Sequence, residues 1–463
     1  MEGDVSTLER TLEAARAENR VPGMSAAVFA DGALRLASTG ITNVTTGVPM
    51  TNDTIAHIGS ITKIFNATLV MQLVDEGKLA LERPVAEYLP EFRLGDAVAA
   101  RSITVEQLLN HTSGIDGNLL PDSGHDNETI EHAMVQFATV RQLHAPGAAR
   151  SYCNAGTVIA GYLCQRTTGT SWYDLVKRRI FAPLGMEHAA VLPEDALLYR
   201  PSVGHFLNRT SGEMVRTTHT FLPLSFAPAG STAMMSAEAL MTFLRAHMAD
   251  GVGPNGARIL SQENAQRMRR PSGDVQGPSC FEGGIGWMLL GRDFVHHGGG
   301  GPGIISWFLA HPESQTIVVV LTNAEQGFAA ANAVIGPFIE SRFGIVPFPP
   351  AKPAPERPFD PAAYVGIYEN YSTAHEIKAR DGRLFWCPRA RARYYDNSPM
   401  EKTVERALVP TANGSFLTDA SDAGEKYPST VALGFAAPDA RGRMEYLIYS
   451  YRMHRRRDRD REV

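Results

Sequence analysis

The chain has 463 residues, 44% of them hydrophobic and 20% charged, with a formal net charge of -5 at pH 7. That length exceeds what one core organises, so two or more domains are expected, and the apolar content excludes a disordered chain. The acidic balance, 44 Lys plus Arg against 49 Asp plus Glu, argues against nucleic acid or an anionic membrane as a partner.

The first twenty residues are acidic and amphipathic and lack the apolar core of a signal peptide. No stretch reaches the roughly 18 apolar residues of a spanning helix, so a soluble, cytoplasmic protein is expected. Cys153, Cys164, Cys280 and Cys387 are too few and too scattered for a disulfide framework and read as buried free thiols.

Residues 6–20 read as a helix stopped by Val21-Pro22-Gly23. Residues 24–30 and 33–38 read as two strands joined at Asp31-Gly32, a hairpin dipeptide. A strongly helical run follows at 61–77, its apolar residues mostly on one face and Gly77 at the C-cap position. Shorter helices are expected at 105–110, 156–166, 172–181, 237–249 and 261–269. The pattern then turns to strands at 285–290, 294–297, 304–311 and 316–322, and a helix at 328–342 closes the region. Strands at both ends of a helical middle imply an α+β fold, an antiparallel sheet carrying a helical subdomain.

Half of residues 347–358 are proline, which predicts an extended, semi-rigid linker. Beyond it, short strands at 365–368, 375–379, 384–386, 407–410, 430–435 and 445–451 predict a small β-barrel or sandwich. The Arg-rich tail 452–463 reads as a solvated terminus. The expected domains are therefore 1–345, a linker at 346–358, and an all-β unit at 359–463.

Three short runs can carry chemistry. Ser60-Ile61-Thr62-Lys63 opens the longest helix. A serine there has its own amide and the helix dipole beside its hydroxyl, and a lysine at i+3 lies on the same face. Burial would lower that lysine's pKa enough to take the serine proton. Tyr152-Cys153-Asn154 stands just ahead of a helix, and in an extended turn Tyr152 and Asn154 point into one cleft. The run from His296-His297 through Gly298-Gly299-Gly300-Gly301-Pro302-Gly303 also matches GxGxxG, but a strand follows it where a phosphate-binding loop would open a helix. It reads instead as a strand end, a glycine hairpin and the next strand, with glycines on a strand edge that admit a substrate backbone. The paired histidines lack metal-ligand companions, so neither metal nor cofactor is called for.

The order and spacing of SITK, YCN and HHGG resemble the SxxK, YxN and KTG motifs of the serine β-lactamase and penicillin-binding-protein family, in its class C and DD-peptidase branch. LLNHTSGI at 108–115, APAGSTAMMS at 227–236 and VPGMSAAVFADG near the start look like the same branch, over about residues 5–345. His297 stands where β-lactamases carry lysine, and Gly298 where they carry Thr or Ser. That form is similar to family-VIII carboxylesterases, D-aminopeptidases, D-amino-acid amidases and the penicillin-binding-protein-type thioesterases that cyclise nonribosomal peptides. The strands from Tyr364-Val365-Gly366-Ile367-Tyr368 onward resemble the lipocalin-like domain appended to several such enzymes.

The resemblance implies acyl transfer through a serine ester. Ser60 is the nucleophile, Lys63 and Tyr152 move its proton, and His297 completes the network. Asn154, Gly299 and Gly300 hold substrate, with the Ser60 and Gly300 amides as oxyanion hole. The expected substrate is a small molecule or peptide, an amide or ester with a D-residue at the scissile bond. A peptide cyclase, a carboxylesterase and a sensor that acylates once are the alternatives. Arg452 and Arg455 are the expected contacts by which the β unit rims the cleft and helps select substrate.

Overall fold

The computed structural model describes residues 2–126, 128–208, 211–391, 404–419 and 431–457, with backbone only for 2–5. A seven-stranded sheet organises the first 345 residues. Its order across the sheet is Ala33–Gly40, Gly23–Ala30, Thr316–Thr322, Ile304–His311, Phe294–Gly301, Met288–Leu290 and Glu282–Gly283. The first and last parts of this region meet where Gly23–Ala30 pairs antiparallel with Thr316–Thr322. Asp31 and Gly32 turn the first hairpin with φ of 55° and 74°, the left-handed backbone such a two-residue loop requires.

Every residue of Thr316–Thr322 is buried, because both sheet faces are covered. Ile317, Val319 and Leu321 face the helical body, and Val318 and Val320 face the layer holding the helix Gly327–Phe343. The helix Thr62–Asp75 lies at the centre of that helical body and is buried on all sides from Thr62 to Leu73, not on one face as its apolar spacing suggests. Its polar residues are hydrogen-bonded: Asn66 donates to Thr157 O at 2.9 Å and accepts from Trp172 Nε1 at 2.8 Å.

The glycine run departs from the expected hairpin. The strand continues through it to Gly301, and the turn is Pro302-Gly303. Upstream, only Met288–Leu290 of the expected strand 285–290 is strand; Gly286, with φ 78°, lies in the turn that pairs it antiparallel with Glu282–Gly283.

The C-terminal strands form a closed, antiparallel, eight-stranded barrel. Six of them overlap the expected segments, although residue 430 lies outside the described residues. The other two, Phe416–Thr418 and Arg452–Arg456, were not legible. Arg452–Arg456 is the closing strand, paired with both Met444–Tyr449 and Gly366–Glu369, so the described part of the basic tail is structural and not a solvated end. Tyr368, Trp386, Phe416 and Leu433 fill the barrel interior.

The proline-rich segment is a strap and not a free spacer. Its Phe348 packs on Trp307 and His296 at ring separations of 4.8 and 5.3 Å, and Ala354 N–H donates to Pro410 O at 2.7 Å. The barrel docks directly on the sheet-and-helix body. Tyr446 donates to Leu143 O at 3.2 Å, Asn118 to Ser372 Oγ at 2.7 Å, and Arg141 pairs with both Asp116 and Glu369 at 2.8 and 3.5 Å. Among the described residues no helix is long and apolar enough to cross a membrane. All four cysteines are free; Cys280 is half-buried and the other three are buried.

Candidate active site

Ser60 sits in a single 3-10 turn, Gly59–Ile61, that leads into the central helix. Gly59 has φ 52°, and a Cβ there would stand 2.7 Å from Gly300 N, so only glycine lets the serine turn approach the glycine strand. Lys63 is 2% exposed, and its Nζ donates to Ser60 Oγ at 3.1 Å and to Ala229 O at 2.6 Å. Burial, followed by the field of Arg452, holds its pKa well below the usual lysine range. Tyr152 stands with its ring centre 4.9 Å from Lys63 Nζ, and the Ser60 hydroxyl beside its phenol favours the phenolate. Burial pushes that phenol up to about 12, against the opposing effect of the Ser60 hydroxyl.

His297 Nδ1 lies 2.6 Å from Gly298 O. A carbonyl only accepts, so Nδ1 carries the proton and Nε2 is the free acceptor. Burial, with Lys63 nearby, pushes this histidine down to about 3, and it stays neutral at ordinary pH. Its ring is 6.2 Å from that of Tyr152. Ser60, Lys63, Tyr152 and His297 are thus brought together from three distant parts of the chain.

Asn154 is the first residue of the helix Asn154–Thr168, whose cap is the Cys153 sulfur, accepting from Gly156 N–H at 3.3 Å. Asn154 lines the cavity and donates to Asn118 Oδ1 at 3.2 Å. Its own Oδ1 is buried with no hydrogen-bond partner among the described residues.

The glycine strand has a free edge, because Met288–Leu290 pairs only with Phe294–His296. Gly301 and Ile304 flank the two-residue turn as a hydrogen-bonded pair, so by antiparallel alternation Gly298 and Gly300 turn their amides to that edge. Gly299 alternates to the other face, where a Cβ would come 1.9 Å from Ile58 O. The strand therefore lies against the serine turn, with the Gly300 amide beside it. Gly300 borders the cavity and Gly299 sets this approach.

The cavity of about 520 Å³ is completed by the barrel through Ser450, Tyr451 and Arg452. Ser450 and Tyr451 form a two-residue turn with φ of 50° and 62°, left-handed backbone without a glycine. Two bonds clamp it: Tyr152 N–H donates to Tyr451 O at 2.9 Å, and Met453 N–H donates to Ser151 Oγ at 3.0 Å. The Arg452 guanidinium lies 4.8 Å from the Tyr152 ring centre. Arg455 does not share this position; it is exposed on the barrel and does not line the cavity. Sequence reasoning missed Asn118, and missed His111, whose ring stacks on Tyr152 at 4.5 Å; the LLNHTSGI run was the available signal for His111. Among the described residues no group of three or more His, Cys, Asp or Glu is placed to hold a metal ion.

Lys63 works as a base only when neutral, so turnover should fall as pH drops through its pKa. Arg452 is one of the two causes holding that pKa down. Arg452→Met is therefore expected to move the acid limb of the kcat/KM profile to higher pH, and Arg452→Lys to move it back. An acid limb at the same pH in the methionine variant would show that Lys63 does not feel this cation.

A family model described as Beta-lactamase matches residues 8–335. Penicillin-binding protein 4 of Amycolatopsis lactamdurans is 35% identical over 373 residues, covering 78% of this chain and 96% of that one. The crystal structure of SurE superposes with a TM-score of 0.79 at 25% identity, covering 99% of this chain and 100% of that one. SurE has also been solved with D-Leu. D-amino acid amidase from Ochrobactrum anthropi SV3, complexed with L-phenylalanine amide, superposes with a TM-score of 0.59 at 26% identity, over 73% of this chain and 99% of that one.

Proposed function

The chain belongs to the Beta-lactamase family, and from that premise we propose that it is a serine hydrolase or acyltransferase acting on a peptide, amide or ester through an acyl-Ser60 intermediate. The observation that carries this reading is the bond of Ser60 Oγ to a buried lysine amine, with the buried phenol of Tyr152 beside both on the same cavity. The depressed lysine accepts the serine proton as Oγ attacks the carbonyl. The phenol, with its raised pKa, keeps its own proton and is placed to deliver it to the leaving group. The Ser60 and Gly300 amides receive the oxyanion, and Asn154 offers its unpaired carbonyl to a substrate N–H. Neutral His297 presents Nε2 as an acceptor and no fixed charge; the permanent cation of the cavity is Arg452, supplied by the lipocalin-like barrel.

A D-residue at the scissile bond is supported by the likeness to D-amino acid amidase. Transfer to an amine within the same peptide, in place of water, is the alternative outcome, and the barrel turn at Ser450–Arg452 walls the cavity beside Tyr152 where the acceptor would arrive. The test is product analysis on D- and L-peptide esters, amides and thioesters, counting linear and cyclic products separately. A fluorophosphonate probe should label Ser60 and nothing else. Labelling at another residue would overturn the assignment, and exclusively linear products would overturn the cyclase form.

A further inference from the structure

The cavity has a wall that none of this proton transfer uses. Gly298 lies opposite Trp307 in the ladder, and Gly300 opposite Ile305, so all four project to the same sheet face. A Cβ on Gly298 would meet nothing nearer than 3.9 Å, and one on Gly300 nothing nearer than Ile305 at 3.8 Å. Phe328, in the first turn of Gly327–Phe343, lies over Trp307 with ring centres 4.1 Å apart. It is 41% exposed although it is a phenylalanine, whereas Trp307 behind it is 7% exposed and backed by Phe348 of the strap. Trp307, Phe328 and Ile305 border the same cavity as Ser60.

We propose that this aromatic wall is the pocket for the side chain of the residue that donates the acyl group, that it takes a large apolar or aromatic side chain, and that it thereby selects that residue's configuration. A substrate laid along the free edge of the glycine strand alternates its side chains between the two faces. Exchanging side chain and hydrogen at one α-carbon sends the side chain to the opposite face. On the Ser60 face the strand is already pressed against Ile58, which a methyl group on Gly299 would strike. On the other face two absent side chains leave open the way to Trp307 and Phe328. One configuration therefore finds an apolar wall and the other finds the serine turn. The proposal rests on Ser60 as nucleophile and takes the D-residue as the one accommodated.

The experiment compares kcat/KM for N-acetylated D-Phe, L-Phe and D-Ala esters sharing one leaving group. The parent enzyme should prefer D-Phe to both others. Phe328→Ala should lower turnover of the D-Phe ester roughly tenfold more than that of the D-Ala ester, the loss expected from part of an aromatic burial, and narrow the D/L ratio. Gly298→Leu, which fills the wall from the strand side, should reverse the order of D-Phe and D-Ala. Melting temperature and the rate of fluorophosphonate labelling at Ser60 accompany each variant. Equal losses on D-Phe and D-Ala, unmoved ratios in both variants, or a parent preference for L-Phe overturn the subsite while Ser60 labelling stands. Absence of labelling at Ser60 in the parent overturns the serine reading, and the subsite with it.

Discussion

Ser60→Ala and Lys63→Ala are each expected to lower kcat by about four orders of magnitude or more, with the double variant little worse than either single one. The two side chains form one unit, bonded at 3.1 Å across less than a helical turn, so removing either partner removes the activated hydroxyl. The lysine variant has an added structural cost, because Lys63 also donates to Ala229 O and fills a fully enclosed site. Melting temperatures should therefore separate the two: Ser60→Ala near the parent, Lys63→Ala below it by an amount consistent with about 1–3 kcal/mol for a buried acceptor left unpaired. Turnover by Ser60→Ala within tenfold of the parent would remove the serine from the mechanism. Strictly additive losses in the double variant would show that the pair does not act together.

The second large effect is expected at a residue with no side chain. Gly299→Ala places a methyl group 1.9 Å from the Ile58 carbonyl; the carbonyl is backbone and a Cβ is fixed by its own backbone, so neither can rotate away. The strand must retreat from the serine turn, taking the Gly300 amide with it. Loss of one oxyanion donor is worth about 10²–10³ in kcat, and the variant should fall in that range with fluorophosphonate labelling slowed in parallel. Gly298→Ala, whose methyl has nothing within 3.9 Å, is the stability control and should melt with the parent. An alanine at 299 that leaves both melting temperature and labelling rate at parental values would show that the close approach is not required.

Many helices and strands of residues 1–345 were readable because their signals are local, although Thr129–Phe137 and Ala97–Ser102 were not among them. Periodicity marks the segment ending at Asp75, and Asp31-Gly32 marks its hairpin. What the residues could not reveal were facts about their surroundings. The central helix looks amphipathic, yet it is enclosed, because its polar members Asn66, Thr68 and Gln72 bond to neighbouring segments and spend their polarity inside the protein. Four consecutive glycines suggest a turn, whereas a strand gripped between Ile304–His311 and the serine turn needs no propensity of its own. The Arg-rich closing strand carries one apolar residue in five, Met453, so no alternation betrays it. Ser60, Lys63, Tyr152 and His297 could be named from spacing and resemblance. Arg452 could also be named as a cleft contact, but not its seat beside Tyr152, which depends on barrel closure.

The turn at Ser450–Tyr451 ties catalysis to the integrity of a separately cored barrel. Partial unfolding in proteins proceeds by cooperative units, and the barrel has its own apolar cluster, so it is a natural unit of that kind. Opening it would release the Tyr152 backbone and withdraw Arg452 while Ser60 and Lys63 stay in the enclosed helix. In a urea titration, activity would then vanish ahead of the helical signal. The enzyme would be silenced in a state from which it recovers by closing eight strands, with the rest of the molecule still folded.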